Sequence, residues 1–157
     1  MSRPFAPRLR VSSYLSAWMP TGDETRQSVA GYFGGGSGPS SVDTSAIDKL
    51  SFSAETRTTL SATMSTIVYA TGAFANSGIA GYFCGGTGAS YYSRIDKIAF
   101  PADSKTTLSA TLSATVFFPA GMANSGVAGY NGGGDTPTTA IDKITFPADT
   151  KLLCRQL

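Results

Sequence analysis

The chain has 157 residues, a net charge of +2, 41% hydrophobic residues and only 14% charged ones. That apolar content is enough to bury a core in one domain and excludes a disordered tail. So small a net charge, with lysine and arginine dispersed, excludes a nucleic-acid partner, because phosphate affinity comes from clustered cations.

Residues 1–7 read as a short extended arm, with Arg3 between Ser2 and Pro4 and a second proline at Pro7. Arg8 and Arg10 continue the basic text, which suits an anchor onto an acidic protein surface. No apolar run of signal-peptide length follows these arginines, and no stretch approaches the roughly 20 apolar residues of a membrane span. The protein is therefore expected to remain where it is made or to leave inside a particle. Residues 8–157 are read as one repeat domain.

The repeat announces itself at Ala30-Gly31-Tyr32-Phe33-Gly34-Gly35 and returns at Ala80-Gly81-Tyr82-Phe83-Cys84-Gly85-Gly86 and Ala128-Gly129-Tyr130-Asn131-Gly132-Gly133. The shared Gly-Tyr steps are 50 and 48 residues. Ile47-Asp48-Lys49, Ile95-Asp96-Lys97 and Ile141-Asp142-Lys143 keep pace. A period near 50 residues marks propellers and other repeat architectures. Upstream of the first Gly-Tyr, Asp23-Glu24-Thr25-Arg26-Gln27 stands where the second unit has Ala73-Phe74-Ala75-Asn76-Ser77. Polar residues there suggest a different neighbour, so Trp18, Asp23, Glu24 and Arg26 are read as a candidate subunit contact.

The middle unit shows the elements. Met64 to Ala80 is predicted as a strand and a turn closing on Asn76-Ser77-Gly78, Ile79 to Phe83 as a second strand, and Ile95 to Phe100 as a third. Pro101-Ala102-Asp103-Ser104 is a turn, and Thr106 to Leu112 a fourth strand. No segment keeps a 3.6-residue apolar period, so no helix is assigned. Ile95, Lys97 and Ala99 share one face of their strand, and Asp96, Ile98 and Phe100 the other. Apolar residues on both faces predict a sheet covered on both sides.

The glycine pairs Gly35-Gly36, Gly85-Gly86 and Gly132-Gly133 are expected where the chain leaves a strand sharply. Asp48, Asp96 and Asp142 are expected to accept hydrogen bonds from backbone N–H groups of an adjacent turn; the competing reading is a carboxylate ring around a cation. Lys49, Lys97 and Lys143 are expected to be solvated or to snorkel along apolar surface, and Tyr32, Tyr82 and Tyr130 are expected in packing between units. Cys84 and Cys154 occupy different repeat positions and read as fillers of small or apolar sites. The glycine runs never continue into Gly-Lys-Ser/Thr, so they are not phosphate loops. The sequence contains no histidine, which removes Ser-His-Asp triads, Cys-His pairs and histidine-bound metals. No catalytic residue, metal ligand or cofactor is assigned.

Binding residues concentrate on loops of a rigid scaffold, and the loops after the glycine pairs differ most among units. Tyr91 and Tyr92 stand together there, with Arg94 behind. These three are the candidate loop for stacking on a sugar ring or filling a partner's pocket.

The glycine pair, the nearby aromatic and the period resemble the kelch-type repeats of β-propellers. More narrowly, Gly31-Tyr32-Phe33-Gly34-Gly35-Gly36, then Ile47-Asp48-Lys49-Leu50-Ser51-Phe52, then Thr58-Thr59-Leu60-Ser61-Ala62-Thr63 resembles kelch-like repeats in structural proteins of tailed bacteriophages. The resemblance spans about residues 8–157 and lacks the regular kelch tryptophan, Trp18 being the only one. It implies an all-β fold of three four-stranded antiparallel units, propeller-like and completed by oligomerisation; a β-trefoil or β-prism is the alternative. Three units fall short of the usual four to eight blades. Arg8 to Leu15 align with Thr58 to Ser65, so each terminal strand is expected to complete a blade of a second chain.

The resulting expectation is a non-enzymatic virion structural protein, a capsid decoration, neck or tail-fibre module. It would be made in host cytoplasm, and its partners would be itself, as a dimer, and other virion proteins, with no membrane. The alternative is a lectin-like propeller module that binds glycan.

Overall fold

The computed structural model describes residues 29–38, 42–135 and 140–154. Among these residues the regular structure is all strand, in eleven elements, with no helix. Strands β1 (Ala30–Gly34), β2 (Ala46–Ser51) and β3 (Thr56–Thr63) form the first sheet. Strands β4 (Gly72–Asn76), β5 (Ala80–Cys84), β6 (Ile95–Ala99) and β7 (Ser104–Thr107) form the second. Strands β8 (Ala120–Asn124), β9 (Ala128–Gly132), β10 (Ile141–Thr145) and β11 (Thr150–Cys154) form the third. Each sheet is an antiparallel meander in chain order. Short tight turns permit this, because antiparallel neighbours need no crossover.

The register repeats as the sequence does. Tyr32 lies opposite Lys49, Tyr82 opposite Lys97, and Tyr130 opposite Lys143. Side chains directly opposite share a face, so each unit presents a tyrosine and a lysine side by side. The opposite face of the second unit carries Phe83, Asp96 and Ile98.

The core lies between sheets, not within one. Ile47, Met64 and Val68 meet Phe83 and Ile98 between the first and second units. Phe74, Tyr82, Cys84 and Ile95 meet Leu112, Val116, Ile144 and Phe146 between the second and third. The middle sheet is thus covered on both faces, as two packed layers require. Where β4 and β8 pass, the backbones nearly touch: a Cβ added to Gly121 would lie 2.2 Å from the Ala73 carbonyl oxygen. A Cβ on Gly129 would lie 2.0 Å from the Phe74 ring.

Several expected boundaries shift. The strand expected from Thr106 to Leu112 stops at Thr107. Beyond it the chain crosses to the next unit, held as the Leu112 N–H donates to Ser93 O and the Val116 N–H to Tyr92 O. The strand expected from Met64 begins only at Gly72, because residues 64–71 form the equivalent crossing. The C-terminal strand of the expected exchange stays in its own chain, and the N-terminal one lies outside the described residues. The outer position of the third sheet is filled by β11 of the same chain, paired to β10 from Ile141↔Cys154 to Thr145↔Thr150. Residues 8–15, Trp18, Asp23, Glu24 and Arg26 lie outside the described residues.

Candidate functional site

The most elaborate chemistry lies where units meet. In the first joint the Tyr32 hydroxyl donates to Asp103 Oδ1 at 2.6 Å and Lys49 Nζ donates to Asp103 Oδ2 at 2.7 Å. The Tyr32 ring stacks on Phe100 at 4.6 Å. In the second joint Tyr82 donates to Asp149 Oδ1 at 2.7 Å, Lys97 to Asp149 Oδ2 at 2.5 Å, and Tyr82 stacks on Phe146 at 5.3 Å. The aspartate comes each time from the β-turn of the following unit, just after a cis Phe-Pro bond. Each lysine also lies over its tyrosine ring, at 5.6 and 5.7 Å, within cation–π range.

For Lys49 and Lys97 these contacts replace solvation with an ammonium that lies over the tyrosine ring and ends on a carboxylate. The side chains of Lys49 and Lys97 are only 27% and 22% exposed and end on carboxylates. Burial works against ionisation of Asp103, but its bonds from Lys49 and Tyr32 outweigh that and hold its carboxyl below the ordinary range. The Asp103 hydrogen bond raises Lys49 in turn. Burial first, then the neighbouring carboxylate, pushes the phenols of Tyr32 and Tyr82 upward. The first clamp is therefore Lys49⁺, Asp103⁻ and a neutral Tyr32 phenol at neutral pH.

A second recurrent contact uses Asp96 and Asp142. Asp96 Oδ2 accepts the backbone N–H and hydroxyl of Ser65, both at 2.8 Å. Asp142 Oδ2 accepts the same groups of Ser113 at 2.8 and 3.0 Å. Both serines lie on the crossing segments, so these carboxylates pin each crossing to the unit it enters. Asp48 instead accepts from the Thr59 hydroxyl at 2.5 Å. Among the described residues no group of three or more cysteine and acidic side chains converges as a metal site would.

The glycine pairs sit at the strand exits. Gly35 and Gly36 have φ of 72° and 126°, and Gly85 and Gly86 have 65° and 92°. The third pair with positive φ is Gly133-Gly134, at 71° and 116°, not Gly132-Gly133; Gly132 ends β9 at the place of Cys84. The second glycines of the first two pairs donate their N–H to Val68 O and Val116 O, so the pairs are where crossings dock. Cys84 is buried and free, its thiol pushed up mainly by burial, and Cys154 is also free.

The loop residues separate. Tyr92 turns inward against the first joint, with the Arg94 guanidinium 3.8 Å above its ring. Hydrogen bonds from Ser90 and Thr66 lower the Tyr92 phenol. Arg94 also donates to the Ser65 hydroxyl at 3.1 Å. Tyr91 turns outward, 49% exposed, and stacks on Phe117 at 5.7 Å. Phe118, 63% exposed at φ +53°, and Tyr69 complete this aromatic group. Phe117, Phe118 and Tyr69 come from the crossings, and the aromatic text Phe117-Phe118 before Pro119 was the available signal for them. A cavity of about 530 Å³, lined in part by Tyr32, Phe74, Tyr82, Phe83 and Phe100, lies between the first two units.

No protein-family model matches this chain, and no curated protein matches it.

Proposed function

We propose that this protein is a non-enzymatic scaffold of propeller-like build, a structural component of a tailed-phage particle such as a capsid decoration, neck or tail-fibre module. The observation that carries the scaffold reading is the use made of the repeated polar groups. Tyr32, Lys49, Asp103, Tyr82, Lys97, Asp149, Asp96 and Asp142 all join one unit to another or to a crossing. Groups so engaged hold a shape and leave the loops to meet partners. Face-to-face stacking of successive meanders favours radial assembly over a β-trefoil or β-prism. The virion assignment is supported by the repeat text, and fold by itself does not select it.

In this reading the protein is made in host cytoplasm, becomes part of the virion, and contacts other virion proteins. Cryo-microscopy of particles made without the chain tests it. Missing density and altered composition are the expected result; particles of unchanged composition would overturn it.

One observation favours the lectin-like reading as second. Tyr91, Phe117 and Phe118 form a partly exposed aromatic surface, and such surfaces stack on sugar rings. Phe118 holds a left-handed backbone that is unfavourable for a bulky side chain. Glycan-array binding abolished by Tyr91→Ala would establish it, and no binding at millimolar sugar would dismiss it.

A further inference from the structure

The two joints inside the chain define what a third would need, and the chain carries both halves of it at its ends. The forward face of the third unit repeats the donor half: Tyr130 lies opposite Lys143 across β9 and β10. The surrounding positions, buried in the unit before, are open here. Ile141 is 46% exposed where its counterpart Ile95 is 0%, and Met122 is 69% exposed where Phe74 is 7%.

The back face of the first unit repeats the acceptor half. Phe52 follows β2 as Phe100 follows β6, and each covers the glycine of its own unit. A Cβ on Gly31 would lie 3.3 Å from the Phe52 ring, and one on Gly81 3.2 Å from the Phe100 ring. Three residues on, Glu55 has φ +51°, beside +53° for Asp103 and +55° for Asp149. The acid is thus presented on the same left-handed turn, one methylene longer. Phe52 and Phe33 are 48% and 65% exposed, and Glu55 is exposed.

We propose that a second copy of this chain docks head to tail on these faces, with Phe52 of one copy stacking on Tyr130 of the other. Glu55 then accepts from the Tyr130 hydroxyl and the Lys143 ammonium. Head-to-tail contacts close as rings or run on as filaments. Two copies bring six units together, inside the four to eight that radially packed sheets adopt, and three copies would bring nine. The joint is made twice in such a dimer. The inference goes beyond the virion reading and holds whatever larger particle the chain serves.

Charge exchange tests it on the full chain by sedimentation equilibrium. Wild-type protein is expected at twice its 16.2 kDa. Lys143→Glu sets Glu against Glu55, and Glu55→Lys sets Lys against Lys143, so each alone is expected to weaken association at least tenfold. Mixed in equal amounts, the two variants pair opposite charges at both joints and are expected to recover the dimer. Should a charge variant lose its β-sheet circular dichroism, Tyr130→Phe removes one hydroxyl per joint and is expected to weaken association about fivefold. A wild-type monomer at every concentration, a dimer indifferent to Lys143→Glu, Glu55→Lys and Tyr130→Phe, or separate variants that do not complement would each overturn the proposal.

Discussion

The first and second joints share their polar clamp and differ in how deeply it is buried. Both set a Tyr-Lys pair against one aspartate, with donor distances between 2.5 and 2.7 Å. In the second, Phe74 of the innermost strand stacks on Tyr82 at 5.1 Å and covers Gly129. The first clamp is the more exposed, with Lys49 and Asp103 at 27% and 24% against 22% and 18% for Lys97 and Asp149. The same clamp thus recurs at both joints and fixes how successive units meet. Directional groups suit that task, because their geometry is fixed while dispersion contacts tolerate exchange of shape.

The tight inner contact of the second joint is the place to break it most severely. Gly121→Ala forces β8 off the Ala73 carbonyl, a backbone obstacle that no rotamer relieves. It is expected to cost about 3 kcal/mol in urea unfolding, and hydrogen exchange should loosen β8–β11 before β1–β3. Removal of the clamp comes next. Asp149→Ala leaves the Tyr82 hydroxyl and a mostly buried Lys97 unpartnered, with an expected cost of about 2–3 kcal/mol. Asp103→Ala, at the slightly more exposed clamp, is expected to cost about 1–2 kcal/mol. Equal losses would mean that deeper burial adds nothing to the second clamp.

Titration sharpens the comparison at the first joint. Asp103 is depressed in the folded protein below its ordinary 3.8, so its contribution is complete above that value and is lost as pH falls through the folded value. Lys49 is raised above 10.5, so its contribution is complete below that value and is lost as pH rises through the folded one. A stability plateau between the two limbs is expected. Asp103→Asn should flatten the acid limb in thermal unfolding followed against pH. A smaller change distinguishes the crossings: Ala70 has φ +56° at the place where Phe118 has +53°, and Ala70→Gly is expected to stabilise by about 1 kcal/mol. Smallest is Arg57→Ala, which removes a 3.6 Å pair from a side chain 72% exposed. It should change stability by less than about 0.5 kcal/mol.

Period and alternation made much of this legible from residues alone. The strands around Gly81-Tyr82 and Ile95-Asp96 and the turn at Pro101 follow from local text, as do two covered faces for the middle sheet. What stayed hidden was contact across units. Nothing near Lys97 in sequence points to Asp149, 52 residues on, so its neighbours in sequence point only to a solvated or snorkelling side chain. Thr106 to Leu112 alternates like a strand, yet β7 ends at Thr107, and the Leu112 N–H is taken by Ser93 O in the preceding loop. In the candidate loop the adjacent tyrosines were visible, but not that Tyr92 would lie beneath Arg94 while Tyr91 found Phe117.

The serine pins carry an evolutionary consequence. Ser65 holds Asp96 as Ser113 holds Asp142, and Asp103 and Asp149 receive equivalent donors. A cassette running from Gly72 to Pro119 could be excised, leaving Ser65 to find Asp142 and Tyr32 to find Asp149. Duplication or loss of such a cassette would keep these serine and tyrosine-lysine seams chemically matched, so the fold can lengthen or shorten in steps of whole modules.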